Sequence, residues 1–223
     1  MKPKRIILIR HGESEGNVDR SVYGNKPDYA LLLTEKGIRQ ATNAGAHLKE
    51  LVKDESLHFY VSPLFRTRQT FLEIAKNFPE TQYEWNEEPR LREQEWGHLR
   101  TPEQCRAVDV ERDAYGIFYF RIPDGESAAD VYDRVSDFFH TLFRDFEKPG
   151  FPTNAVMITH GMAIRLFVMR WFHYTVEQFE LLANPYNCAI VQMELQDNGK
   201  YKLITDLPSR EVKHSWKFPL ARQ

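Results

Sequence analysis

The sequence predicts an α/β protein built on a parallel sheet, and two observations predict it. Residues 6–9 and 155–159 are short, unbroken apolar runs rich in β-branched side chains, the pattern of strands buried on both faces. Both end the same way, the first in Arg10-His11-Gly12 and the second in His160-Gly161. Open α/β sheets bind ligands outside the carboxyl ends of their strands, so both His-Gly pairs stand where chemistry is expected.

The remaining elements follow in order. A polar loop runs from residue 13 to 33, with turn residues Gly16, Asn17, Gly24, Asn25, Pro27 and Asp28. Thr34 is placed to cap a helix that carries Ile38, Ala41, Gly45, Leu48 and Val52 at helical spacing. A short strand over 59–62 precedes a helix over 64–78, with Pro63 near its start, where a missing donor does little harm. Residues 79–125 are punctuated by Pro79, Pro89, Pro102 and Pro123 and are the least regular, with a weak helical pattern from 101 to 116. Ser127 and Asp130 stand at capping-box spacing before a helix whose apolar face is Val131, Val135, Phe138, Phe139, Leu142 and Phe146. Residues 162–172 and 175–182 read as helices. Residues 188–195 and 201–205 alternate as strands, joined by the hairpin signal Asp197-Asn198-Gly199. The expectation is one domain over residues 1–223, without repeats or linkers.

Composition narrows the function classes. The 223 residues are 28% charged with a net charge of −2 and both signs interspersed, so no basic stripe points to nucleic acid. Lys2, Lys4 and Arg5 precede only a four-residue apolar run, too short for a signal-peptide core, and no window approaches a membrane span. Cys105 and Cys188 are too few for a disulfide framework or a zinc knuckle. A cytoplasmic protein is expected.

The chemistry-bearing residues point to phosphate. Arg10 offers a planar fork of donors matched to phosphate oxygens. Its charge disfavours imidazolium on His11, leaving a neutral ring nitrogen able to accept a phosphoryl group; the alternative is a pair of surface residues after a strand. Parallel strands would bring His160 alongside, as a donor to a phosphoryl oxygen or as a satisfied core histidine. Arg66, on the first turn of the 64–78 helix, reads equally as an anion contact or a solvated residue, whereas Arg68 reads as solvated. Glu93 and Glu95 flank Trp96 in the stretch 91–97, and an apolar neighbour raises a carboxyl pKa toward that of a general acid; solvated loop acids are the alternative. Phe118, Tyr119 and Phe120 before Arg121 would wall a pocket or simply pack. Zinc wants three or four ligands and few cations nearby, so two arginines beside the histidines argue for no metal.

Taken together, Arg10-His11-Gly12-Glu13-Ser14 with Asn17, Leu33-Thr34 with Gly37, Ser62-Pro63-Leu64 with Arg66 and Thr70, Glu93, and Thr159-His160-Gly161 resemble the histidine phosphatase superfamily, also called phosphoglycerate mutase-like. The resemblance spans residues 5 to about 195 in order. It implies a doubly wound, mostly parallel sheet with helices on both faces in three layers, and an inserted lid near 79–125. It implies that His11 becomes phosphohistidine, that Arg10, Arg66 and His160 hold the phosphoryl group, and that Asn17 and the Gly161 amide hydrogen-bond it. Glu93 would be the general acid, with Glu95 its rival. The implied reaction is hydrolysis of a small phosphorylated metabolite with release of inorganic phosphate, without cofactor or metal.

Within the family, residues 118–135 resemble fungal broad-specificity phosphatases and plant mutase-like proteins. The paired arginines with which mutases grip a substrate carboxylate have no adjacent counterpart among Arg100, Arg106 and Arg112. A carboxylate would instead meet Arg121 or Arg100. The alternatives are a bisphosphoglycerate-dependent phosphoglycerate mutase and a non-catalytic phospho-ligand binder.

Overall fold

The computed structural model describes residues 2–99 and 101–213. Its elements run β1 (Arg5–Arg10), α1 (Glu15–Val18), α2 (Glu35–Val52), β2 (Leu57–Val61), α3 (Phe65–Ala75), β3 (Tyr83–Glu87), α4 (Pro102–Tyr115), α5 (Ala128–Phe146), β4 (Asn154–Thr159), α6 (Gly161–Phe172), α7 (Val176–Glu180), β5 (Ile190–Leu195) and β6 (Tyr201–Leu203). Short 3₁₀ turns at Arg20–Gly24 and Asp28–Ala30 interrupt the loop between α1 and α2.

One six-stranded sheet, ordered β3-β2-β4-β1-β5-β6, organises the chain. The first four strands are parallel, and β5 and β6 are antiparallel additions at one side. Alternation along the strands sorts the core into two sides. Ile7, Ile9, Phe59, Val61, Val156 and Ile158 pack with Leu48 and Val52 of α2 and Phe71 and Ile74 of α3. Ile6, Leu8, Tyr60, Ala155 and Met157 pack with Val131, Val135 and Phe138 of α5 and Ile164 and Phe167 of α6. The result is the expected doubly wound, three-layer arrangement.

The expected caps form. Thr34 accepts from the Gly37 amide at the start of α2, and Ser127 and Asp130 make a reciprocal capping box at the start of α5. One feature differs from expectation, and one weak helical expectation, over 101–116, is borne out. Residues 83–87 are an edge strand paired in parallel with β2, so they belong to the sheet and not to a lid. Residues 102–115 form a complete helix, opened by a Thr101–Gln104 capping box and closed at Gly116, where φ is 110°. The stretch that covers the strand ends is therefore the segment after β3, centred on the loop 91–99 and α4.

Candidate active site

The register of the parallel strands builds the site. Arg10 pairs with Thr159, and Val61 with Ile158, so β1, β4 and β2 end level and present His11, His160 and Ser62 side by side. The His11 amide donates to the Thr159 carbonyl at 2.9 Å, and the two imidazole centroids lie 5.1 Å apart. The turn after His11 is pressed against α2. A Cβ on Gly12 would meet the Gly37 carbonyl oxygen at 2.5 Å, and one on Gly37 would meet the Glu13 carbonyl oxygen at 2.0 Å. Only two glycines permit that approach. The Gly12 amide also donates to Thr70 Oγ1 of α3 at 3.0 Å.

His11 is buried, and its Nδ1 lies 2.7 Å from the Gly12 carbonyl oxygen. A carbonyl only accepts, so Nδ1 carries the hydrogen and Nε2 keeps the lone pair. Burial first, then the charges of Arg66 and Arg10, hold the His11 pKa well below its ordinary 6.5. The neutral ring expected from like-charge proximity is present, with desolvation the larger cause. His160 is wholly buried and is held neutral in the same way, by burial and then Arg66. Its Nε2 lies 2.8 Å from Ser62 Oγ, and its Nδ1 has no partner.

The acid loop is fixed from several sides. Thr159 Oγ1 donates to the Leu91 carbonyl at 2.6 Å, and Arg134 spreads its guanidinium over the carbonyls of Arg90, Arg92 and Glu93 at 2.6–3.0 Å. Glu93 is thereby turned inward to the cavity, and burial raises its carboxyl pKa against the opposing pull of Arg66 and Arg10. Glu95 is exposed, and its backbone joins Glu126. Both residues line the cavity, but of the two carboxylates only that of Glu93 comes within reach of the histidine nitrogens.

Arg10 lines the cavity, donating to the Pro185 carbonyl at 2.7 Å while its Nε stays unpartnered. Arg66, 3% exposed, makes a bidentate pair with Asp28 at 3.0 and 3.1 Å and also donates to the Asp28 carbonyl. Asn17 also lines the cavity. Its amide oxygen accepts from the Ser14 amide and from Asn187, which also donates to the His11 carbonyl. Only the Asn17 NH₂ is left to meet a ligand. Gly161 opens α6 directly after His160, with a Cβ excluded by Asn184 at 2.6 Å. Arg121 corrects the sequence reading: it is exposed, bound to Asp130 at 2.7 Å and to the Gly125 carbonyl, and outside the cavity wall. The companion residue Arg100 lies outside the described residues. Phe118 packs in the core against Phe179, and Tyr119 is exposed.

Arg10, His11, Asn17, Arg66 and Glu93 line one cavity of about 850 Å³, in the range of small-molecule sites, with His160 fully buried directly behind His11. Sequence reasoning assigned no role to Ser62, Asp28, Asn184 or Arg112 on or beside it; Ser62 stood there only as part of the Ser62-Pro63-Leu64 motif, and Arg112 only as a possible half of an arginine pair. His11, Glu93 and His160 also place donor atoms within 4.8 Å of one another, a spacing a divalent ion would accept. The adjacent guanidiniums of Arg10 and Arg66 oppose a cation there and favour an anion.

A doubly wound sheet whose strand ends carry two neutral imidazoles among guanidiniums defines an α/β protein with a cationic, anion-favouring site. The chain belongs to the histidine phosphatase superfamily (branch 1), whose family model matches residues 6–206. It is 45% identical to the phosphoglycerate mutase-like protein AT74 of Arabidopsis thaliana, over 90% of this chain and 68% of the relative. It is 31% identical to the broad-range acid phosphatase DET1 of Saccharomyces cerevisiae, over 93% and 90% respectively. A mycobacterial glucosyl-3-phosphoglycerate phosphatase shares the fold, with a TM-score of 0.72 at 21% identity over 92% of this chain and all of that one.

Proposed function

We propose that the protein is a metal-independent phosphomonoesterase that works through a phosphohistidine on His11. The observation that carries the reading is the pinned tautomer of His11, whose free Nε2 lies among Arg10, Arg66, His160 and Glu93. Phosphate monoesters hydrolyse so slowly unaided that enzymes accelerate them by up to ~10²¹-fold. The transition state is loose, so positioning and positive charge supply most of that gain.

In the first step the His11 Nε2 lone pair attacks phosphorus as the ester P–O bond breaks. Arg10, Arg66 and the His160 Nδ1–H hold the equatorial oxygens, and Glu93 gives its proton to the leaving alkoxide. In the second step the Glu93 carboxylate takes a proton from water, the water oxygen attacks phosphorus and the P–N bond breaks. Phosphate leaves, and His11 and Glu93 return to their starting states. Asn17 and the Gly161 amide add donors to the phosphoryl group. The natural substrate is read as a small phosphorylated metabolite, in the cytoplasm.

The relatives named for phosphoglycerate mutase favour one second reading, a mutase that returns the phosphoryl group to a bound glycerate. Incubation with 3-phosphoglycerate and 2,3-bisphosphoglycerate separates the two, since isomerisation faster than phosphate release selects the mutase. The phosphohistidine itself is tested by trapping: a phosphorylated substrate should leave an acid-labile label that disappears in His11→Ala. A label that survives that substitution would overturn the proposal.

A further inference from the structure

Glu126 stands just before the Ser127 cap of α5, outside the cavity wall, and the proposed reaction does not use it. Its side chain is only 13% exposed. Oε1 accepts from Arg92 Nη2 at 2.8 Å and from Arg134 Nε at 3.1 Å. Oε2 accepts from Arg134 Nη2 and from the Glu95 amide, both at 3.0 Å. The backbone of the same residue adds two bonds. Its amide donates to the Glu95 carbonyl at 3.0 Å, and its carbonyl accepts from Gln94 Nε2 at 2.8 Å. Glu126 thus grips residues 92, 94 and 95. None of these bonds goes to Glu93, which sits between them.

Close backbone packing reinforces the grip. A Cβ on Gly97, where φ is 61°, would overlap the Pro123 carbonyl oxygen, and one on Gly125 would overlap the Glu95 carbonyl oxygen. Thr159 holds the loop at Leu91; from residue 92 to 95 the hold comes from Glu126 and from Arg134 of α5. Burial works against the charge of Glu126, but Arg134 and then Arg92 hold its pKa below the ordinary 4.5, so the carboxylate stays ionised with both oxygens accepting.

Such a hold answers a physical need. The Glu93 carboxyl is faced by Arg10 and His11 after β1, His160 after β4, Arg66 of α3 and Asp28. Burial raises its pKa there, and a carboxyl on a free loop would turn out to water instead.

We propose that Glu126 is the positioning residue of the acid loop: clamped between Arg92 and Arg134, it holds the Glu93 carboxyl at the histidines and so keeps it in place as the proton donor. The proton-transfer half of this rests on the phosphatase reading; the placement of Glu93 does not.

Glu126→Gln keeps the size of the side chain but removes its charge and one acceptor oxygen. Carbon-13 shifts of the Glu93 carboxyl, assigned by their loss in Glu93→Gln, follow its titration without turnover. The midpoint should lie above 4.5 in the unsubstituted protein and fall toward 4.5 in Glu126→Gln. In the same variant, the ratio of kcat/KM on an alkyl phosphate to that on p-nitrophenyl phosphate should fall about tenfold, since only the alkyl ester needs the proton. Glu126→Asp should restore part of both. Val135→Ala, which loosens α5 through its core face, should change neither. A Glu93 midpoint unmoved in Glu126→Gln, or a ratio that Val135→Ala lowers equally, overturns the positioning role. If Glu126→Gln does not fold, Glu126→Asp carries both measurements, with smaller shifts expected and none overturning the role. A midpoint that falls in a protein whose unsubstituted form hydrolyses neither ester keeps the placement of Glu93 and ends the hydrolase reading. An unmoved midpoint with both esters hydrolysed does the reverse.

Discussion

The Nδ1 of His160 faces Oε2 of Glu93 across 3.9 Å, and no group among the described residues satisfies that buried nitrogen. The gap is too wide for a hydrogen bond. An oxygen of a bound phosphoryl group would give the nitrogen its acceptor, provided Nδ1 carries the hydrogen. Ser62 arranges this if its hydroxyl donates to Nε2, leaving Nδ1 as the protonated position.

Ser62→Ala should therefore disturb the tautomer of His160 and lower kcat/KM by about 10- to 100-fold, within the span of lost acid–base or positioning contacts. Nitrogen chemical shifts of the His160 ring report the tautomer directly. An unchanged tautomer in the variant would leave Ser62 a packing residue only.

The two acids of the loop should separate cleanly. Glu93→Gln is expected to lower the rate on an alkyl phosphate by about 10²- to 10⁴-fold, the usual worth of a general acid. The loss should be smaller on p-nitrophenyl phosphate, whose leaving group needs no proton. Glu95→Gln should stay within about twofold, because its side chain is exposed and outside the cluster of His11, Glu93 and His160. Steady-state assays of both variants on both esters decide the assignment.

The pH profile follows from the two shifts. Phosphorylation needs His11 unprotonated, and its pKa is held well below 6.5. It also needs Glu93 protonated, and its pKa is raised above 4.5. Activity should thus persist into acid, fall on the acid side only through the depressed His11 value, and fall on the alkaline side through the raised Glu93 value. In Glu93→Gln the alkaline limb should vanish from kcat/KM measured across pH.

Stability should carry the opposite signature. In the unfolded chain both histidines take up protons as pH falls through 6.5, while in the folded protein burial keeps them neutral. Above that pH they contribute no dependence. Below it each lowers the stability of the fold by up to about 1.4 kcal/mol per pH unit until its folded pKa is reached. Thermal unfolding from pH 7 to 5 should show this decline, and His160→Gln should make it shallower.

What the sequence made legible was whatever is encoded locally. The runs ending in His11 and His160 announce buried parallel strands, and pairing them brings the rings together without further information. β3 was missed because Tyr83-Glu-Trp-Asn-Glu is an edge strand, mostly exposed, so no apolar run marks it. α4 was faint because only Cys105, Val108 and Arg112 of its fourteen residues are buried. Asp28 reads as a turn residue until tertiary contact sets it on Arg66. Arg121 was misplaced because the aromatic run Phe118, Tyr119 and Phe120 before it read as a pocket wall, whereas Asp130 at the start of α5 holds it at the surface.

The level ends of β1, β4 and β2 have a consequence for how such proteins diversify. The reacting groups hang from the most deeply buried and least negotiable part of the architecture, while the walls of the cleft come from the long connections before α2 and after β3. Insertions or substitutions in those connections can retune what is admitted without disturbing how it is processed, which makes one ancestral reaction a reusable platform for many specificities.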